Sequence, residues 1–91
     1  ADAASSFNVG IGNYVMDGAL EDCQQNTAIG YAALGAMTGG SSGTNGEHNT
    51  ALGTNSGDEL TTGTKNTLLG ANTDAGAVGA TNQTAIGFEC T

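Results

Sequence analysis

The sequence contains no Pro, no Trp and no Arg, and Lys65 is the only Lys. Nine acidic residues give the chain a formal net charge of −8. Because a protein needs cations to neutralise phosphate, this composition argues against nucleic acid or an anionic membrane surface as a partner. No apolar run approaches the roughly 18 residues that a spanning helix needs, so we expect no membrane insertion.

Large apolar side chains are also scarce, with six Leu, three Ile, three Val and two Phe among 91 residues. Few such residues together with a high net charge are typical of a disordered chain. That rule does not apply when the apolar residues recur at a fixed interval and can stack on one another. Periodicity therefore decides between disorder and a fold.

A five-residue word does recur along the chain. It reads NVGIG from Asn8, NTAIG from Asn26, NTALG from Asn49, NTLLG from Asn66 and QTAIG from Gln83. Steps of 18, 23, 17 and 17 residues separate the aliphatic residues before the last Gly. A unit this short suits one turn of a β-solenoid rather than a pair of helices. We therefore predict an all-β fold, a parallel β-solenoid (β-roll) of about five coils of ~17 residues, with residues 1–7 as an N-terminal segment and residues 8–91 as a single solenoid domain.

In an extended word, Thr27 and Ile29 point to one side and Ala28 to the other. We expect the aliphatic column to form the core ladder, Ile11, Ile29, Leu52, Leu69 and Ile86. Glycine permits a tight corner or a close backbone approach, which predicts five corner glycines, Gly12, Gly30, Gly53, Gly70 and Gly87. The Asn that begins each word suits a side-chain amide ladder or a turn. Apolar residues on both sides indicate strands covered on both faces, so we expect the chain to form homo-oligomers, either a trimer or an end-to-end polymer.

The words, with YAAL directly after NTAIG, resemble the repeats of trimeric autotransporter adhesin heads and of bacteriophage tail fibres. The resemblance spans roughly residues 8–90. It implies a parallel β-roll, three chains packed side by side, and a rigid stalk or head that binds a surface. The family also has a coiled-coil stalk, an anchor and a chaperone domain, and we expect none of these within residues 1–91.

The two cysteines lie in the first and last repeats. With coils stacked ~4.8 Å apart, Cys23 and Cys90 are three to four rungs or roughly 14 to 19 Å apart. A disulfide needs Cα atoms within about 7 Å, so an intrachain bond is excluded if the coils stack. Two interpretations remain: buried thiols, or an intermolecular disulfide between Cys90 of one subunit and Cys23 of the next.

The sequence indicates no catalytic, cofactor or metal site, and we do not expect an enzyme. His48 is the only histidine and lies beside Glu47 in a loop rich in Gly and Asn, where a solvated role is expected. The aromatic residues Tyr14 and Tyr31 are expected to pack against loops and coil ends rather than to form a sugar-binding platform.

We therefore expect a structural subunit of an extracellular fibre or filament, which assembles by coil stacking and lateral packing and has an adhesive or matrix role. The start ADAASS resembles that of a mature secreted chain. The alternative is a head module of a phage tail fibre or surface adhesin, with loops such as 38–48 binding a cell-surface receptor or glycan.

Overall fold

The computed structural model of the chain describes residues 7–17, 23–38 and 46–90. Each repeat contributes one strand of three residues, because the extended part of each word lies between its Asn and its Gly. In chain order the strands are β1 (Val9–Ile11), β2 (Thr27–Ile29), β3 (Thr50–Leu52), β4 (Thr67–Leu69) and β5 (Thr84–Ile86). Within the described ranges, no helix has the length and apolarity to cross a bilayer.

The five strands form one parallel sheet in the order β1-β2-β3-β4-β5. Equivalent residues of the words are directly paired, with Ala28 opposite Ala51 and Ile29 opposite Leu52. The chain therefore makes one circuit between successive strands, and five strands delimit about four turns of a β-solenoid. The predicted all-β parallel solenoid is confirmed.

The corners repeat the same backbone conformation in each coil. Gln25, His48 and Lys65, each just before the Asn of its word, have φ values of 58°, 61° and 61°. The corner glycines have φ between 121° and 139°, as predicted for positions that disfavour a Cβ. A Cβ added to Gly30 would lie 2.7 Å from the carbonyl carbon of Gly53, so glycine also permits the close stacking of corners. The chain can therefore superpose successive coils.

The interior is lined on the strand side by small residues. Ala28, Ala51, Leu68 and Ala85 point inward and are buried, and Leu34, Met37 and Leu60 are also buried in the core. The interior is narrow: a Cβ added to Gly10 of β1 would lie 2.8 Å from Cγ1 of Val15. There is therefore space for only small residues at most positions of this column.

The assignment of the aliphatic column to the core is wrong for the single chain. The strand register places Ile11, Ile29, Leu52, Leu69 and Ile86 in file, one per strand. Their side chains point outward, however, and Ile11, Leu52 and Ile86 are 59%, 47% and 65% exposed. The reason is steric, since the far wall of the coil is too close to admit a long side chain on every rung. The small residues on the other side of the strands, Ala28, Ala51 and Ala85, fill the interior instead.

Asparagines at the start of the words form a hydrogen-bonded ladder beside the strands. The Oδ1 of Asn26 accepts hydrogen bonds from the backbone N–H and the Nδ2 of Asn49, at 2.9 and 3.0 Å. The Oδ1 of Asn49 accepts the same pair from Asn66 at 3.0 Å each. Each Nδ2 also donates to a carbonyl, that of Asn49 to Gly63 O at 2.8 Å. The amide ladder that the sequence suggested is therefore present, and its buried polar atoms are paired.

Candidate interaction surface

The outer side of the sheet carries apolar and hydroxyl side chains in two columns. We call it the outward face and define it by the first and third residues of the five strands: Val9, Ile11, Thr27, Ile29, Thr50, Leu52, Thr67, Leu69, Thr84 and Ile86. None of these residues is charged, although the chain carries nine acidic residues. The outward face therefore carries no charged side chain.

The geometry of the outward face follows from the parallel register. Four strand spacings of ~4.8 Å give the aliphatic column a height of about 19 Å. Each large aliphatic side chain gains about 1.5 to 3 kcal/mol on full burial, so covering the column is favourable. A continuous apolar stripe on a protein surface is typical of an interaction site. The outward face is therefore the strongest candidate for a contact with another molecule.

Among the described residues, the sheet ends at β1 on one side and at β5 on the other. Within the sheet, the backbone N–H groups of Thr27, Thr50 and Thr67 each donate to a carbonyl of the following coil at 2.8 Å. After each strand the direction reverses, and Gly53 N donates to Ile29 O of the preceding coil at 2.8 Å. Thr84 and Ile86 occupy the corresponding positions on β5, beyond which this sheet has no further strand. Another strand in the same register would find matching donors and acceptors there.

Both cysteines are thiols in the structure. Cys23 is fully buried, and its carbonyl accepts a hydrogen bond from Nδ2 of Asn8 in the first coil at 2.9 Å. Cys90 is half-buried, and its carbonyl accepts from the N–H of Asp74 at 2.9 Å, which places it above Thr73 in its column. The two cysteines therefore lie in different columns of the coil.

This placement bears on the proposed intermolecular disulfide. Val15 shares the column of Cys90, since the N–H of Met16 bonds to Ala33 as the N–H of Asp74 bonds to Cys90. In-register stacking of a second copy would bring Val15 next to Cys90, whereas Cys23 lies one coil deeper and is enclosed. The disulfide stays a prediction, and it requires the first coil to move.

The pair His48 and Glu47 lies at a corner before β3. His48 Nδ1 is 3.7 Å from Glu47 Oε1, and the histidine side chain is 47% exposed. Most of the loop that the alternative function assigned to receptor binding, residues 39–45, lies outside the described residues. Within the described ranges, no three His, Cys, Asp or Glu residues come together in a group suited to a metal ion.

The environment of Asp74 changes the acidity of its carboxyl group. Partial burial raises the pKa of Asp74, and the nearby carboxylate of Asp58 adds to the effect. A hydrogen bond from the backbone of Glu59 acts in the opposite direction. Oδ1 of Asp74 is buried and has no hydrogen-bond partner among the described residues. Ionised Asp74 is therefore a destabilising feature of the coil.

The tyrosine side chains, which we expected to pack against loops and coil ends, contact each other. Tyr14 and Tyr31 are 60% and 51% exposed, and their rings meet edge to face with centroids 5.5 Å apart. They follow the corner glycines at different distances, two residues after Gly12 and one after Gly30. The repeat alignment therefore gave no signal that the rings meet.

The outward face, the two edges of the sheet and the tyrosine pair are therefore the candidate interaction features of the described residues. A comparison with protein-family models, with curated proteins and with solved structures finds no match to this chain.

Proposed function

We propose that this chain is a structural subunit of an extracellular fibre, which associates with copies of itself laterally through the outward face and end to end through the edges of its sheet. The adhesive or matrix role and the extracellular location belong to this proposal. The observation that carries it is the uncharged outward face, with Ile11, Leu52 and Ile86 exposed on alternate rungs of the aliphatic column and Ile29 and Leu69 half-buried between them.

Electrostatics favours this face over the rest of the surface as a contact between copies. A net charge of −8 makes identical chains repel each other over most surfaces. The outward face combines an apolar column with hydroxyl groups and has no carboxylate of its own. Contact there buries apolar area without pairing like charges, which is the physical requirement for self-association of such an acidic chain.

The lateral contact can be tested with Leu52→Glu. Because Leu52 is half exposed and points away from the interior, we expect the variant to keep the circular dichroism spectrum of the parent chain. A charge in the centre of the outward face should weaken association tenfold or more, about 1.4 kcal/mol, measured by sedimentation velocity over a concentration series.

Val78→Glu is the matched control, because Val78 is 56% exposed and lies in a turn outside the strands. It introduces the same charge into an exposed aliphatic position, and it should associate as the parent chain does. If the parent chain sediments as a monomer at all concentrations, the proposal is wrong. The same conclusion follows if both variants weaken association equally, since net charge rather than the outward face would then be responsible.

End-to-end stacking can be tested with Thr84→Pro. Proline removes an N–H that has no partner within this sheet and is tolerated on an edge strand. We expect shorter filaments in negative-stain micrographs with an unchanged protomer. Thr67→Pro is the matched control, since Thr67 N–H bonds to Gln83 O at 2.8 Å and its loss should unfold the coil. Discrete short particles in the parent sample would contradict the fibre and favour the receptor-binding head.

A further inference from the structure

A surface cavity of about 390 Å³ lies beside the corner that follows the first three strands, and no residue of the outward face lines it. Tyr14 and Tyr31 form one wall, and small residues that include Ala32 and Gly35 form part of the lining. The carboxylates of Asp17 and Asp58 complete it. Three successive coils thus contribute to one concave site.

The register of the coils explains how the two carboxylates are placed. Met16 N donates to Ala33 O, Leu34 N to Ser56 O and Gly57 N to Thr73 O, so Met16, Leu34 and Gly57 stack in one column. The residues that follow them, Asp17, Gly35 and Asp58, form the next column. Two rungs of ~4.8 Å separate the aspartates by roughly 10 Å, and the glycine between them has no side chain to fill the gap.

No basic side chain of the chain lies in this cavity. Lys65 is the only Lys or Arg in the sequence, and it occupies the corner before the strands rather than the corner after them. The negative charge of Asp58 also acts on the nearby carboxyl group of Asp74 and raises its pKa. The cavity therefore has a negative potential that no side chain of the protein offsets.

The aromatic wall defines the kind of cation that fits. The tyrosine rings meet at an interplanar angle of 79°, so the pair presents a corner made of one ring face and one ring edge. A ring face attracts a cation within about 6 Å of its centroid, and a carboxylate supplies the opposite charge. A bare metal ion would prefer several oxygens at 2.3 to 2.6 Å rather than a tyrosine face.

We propose that the cavity between Tyr14, Tyr31, Asp17 and Asp58 binds an organic ammonium group, such as the end of a primary amine. The alkyl part of the ligand contacts the tyrosine rings, and the ammonium group lies between the two carboxylates above Gly35. The site is separate from the outward face, so this proposal does not depend on assembly into a fibre.

The sequence provides a specific reporter for the test. Tyr14 and Tyr31 are the only tyrosines and there is no tryptophan, so the intrinsic tyrosine fluorescence of the chain comes from the cavity. Titration with n-butylammonium chloride should change this fluorescence with a saturable curve. Neutral n-butanol and sodium chloride at the same ionic strength should cause no saturable change.

Variants assign the effect to the cavity. Tyr31→Leu and Asp58→Asn should each weaken n-butylammonium binding about fivefold or more, whereas Tyr31→Phe keeps the ring face and should bind nearly as the parent does. Glu89→Gln removes an exposed carboxylate of the last coil and should leave binding unchanged. Because the substituted side chains lie on the surface, circular dichroism should confirm that each variant is folded.

Three outcomes would overturn the proposal. One is the absence of any saturable response to n-butylammonium. Another is equal weakening by Glu89→Gln and Asp58→Asn, which would indicate attraction by net charge alone. The third is saturable binding of methyl glucoside without binding of n-butylammonium, which would make the cavity a saccharide site. Leu52→Glu should bind n-butylammonium as the parent does, so that failure of the fibre and failure of this site are distinguishable.

Discussion

The two faces of the sheet differ in a way that reverses the usual relation between hydrophobicity and burial. Ala28, Ala51 and Ala85 are small and buried, whereas Leu52 and Ile86 on the same strands are large and exposed. In a globular core the larger aliphatic side chains are normally the buried ones. In this coil, the distance between opposite walls determines which residues are inside.

The interior of the coil combines apolar packing with buried hydrogen bonds. Its strand side is mostly methyl groups, and beside them runs the ladder of buried asparagines with paired amides. The outward face carries exposed aliphatic side chains that include Ile11, Leu52 and Ile86. Changes inside should therefore affect the protomer, and changes outside should affect association.

Among changes to side chains that contact the interior, the largest effect on the protomer is expected for Asn49→Ala. This change removes the acceptor of two bonds from Asn66 and the donor to Gly63 O, all in the interior. Each buried polar group left without a partner costs about 1 to 3 kcal/mol, so the sum approaches the total stability of a small domain. We expect the cooperative unfolding transition in urea, followed by circular dichroism, to be lost or shifted to much lower urea concentration.

The end of the ladder provides a matched control for this prediction. Gln83 is exposed, and its side chain donates one bond, to Thr81 O at 2.9 Å. Gln83→Ala should change the free energy of unfolding by about 0.5 kcal/mol or less. Equal effects of Asn49→Ala and Gln83→Ala would mean that the buried amide ladder does not stabilise the coil.

The next effect in size separates the two faces directly. Ala51→Leu adds apolar volume to a filled interior, and we expect it to destabilise the protomer by about 1 to 3 kcal/mol. Leu52→Ala removes apolar volume from the outward face, and it should change protomer stability by about 0.5 kcal/mol or less. Hydrophobicity alone predicts instead that Ala51→Leu stabilises the protomer and that Leu52→Ala destabilises it. The measurement is urea unfolding at a concentration where the chain is monomeric.

A loss of 2 to 5 kcal/mol on Leu52→Ala would be typical of a core leucine. That outcome would restore the original assignment of the aliphatic column to the interior. If Ala51→Leu is as stable as the parent chain, the interior is wider than the short distance between an added Cβ at Gly10 and Val15 indicates.

The smallest effect concerns Asp74, which lies at the boundary between inside and outside. Because its pKa is raised in the folded state, the folded chain binds its proton more tightly than the unfolded chain does. Stability from this group is present at pH below the ordinary pKa of aspartate and is lost as the pH rises through the raised value. Asp74→Asn should therefore stabilise the protein near neutral pH, by less than about 1 kcal/mol because the group is partly solvated.

The gain from Asp74→Asn should shrink as the pH falls, because both states of the parent chain are then protonated. Urea unfolding of both proteins at neutral and acid pH measures the difference. Glu89→Gln removes the same charge from an exposed position and serves as the control. A gain that is equal at all pH values, or equal in the control, would contradict the assignment to buried Asp74.

Much of the fold could be predicted from the recurring word. The alignment of Ile11, Ile29, Leu52, Leu69 and Ile86 gave the parallel register of the five strands, and the glycines gave the corners. The cavity could be predicted only in part. Asp17, Gly35 and Asp58 each lie six residues after the aliphatic residue of their word, so the alignment already places them in one column. Tyr14 and Tyr31 lie three and two residues after it, so the alignment gave no sign that their rings meet.

The sequence by itself determined the strands, their stacking, and which residues share a face, since alternation along an extended chain has a period of two whatever surrounds it. Only the tertiary structure decided which face is inside. That choice depends on the distance to the opposite wall, which is set by how the coil closes on itself, and the close wall leaves alanine within and isoleucine outside.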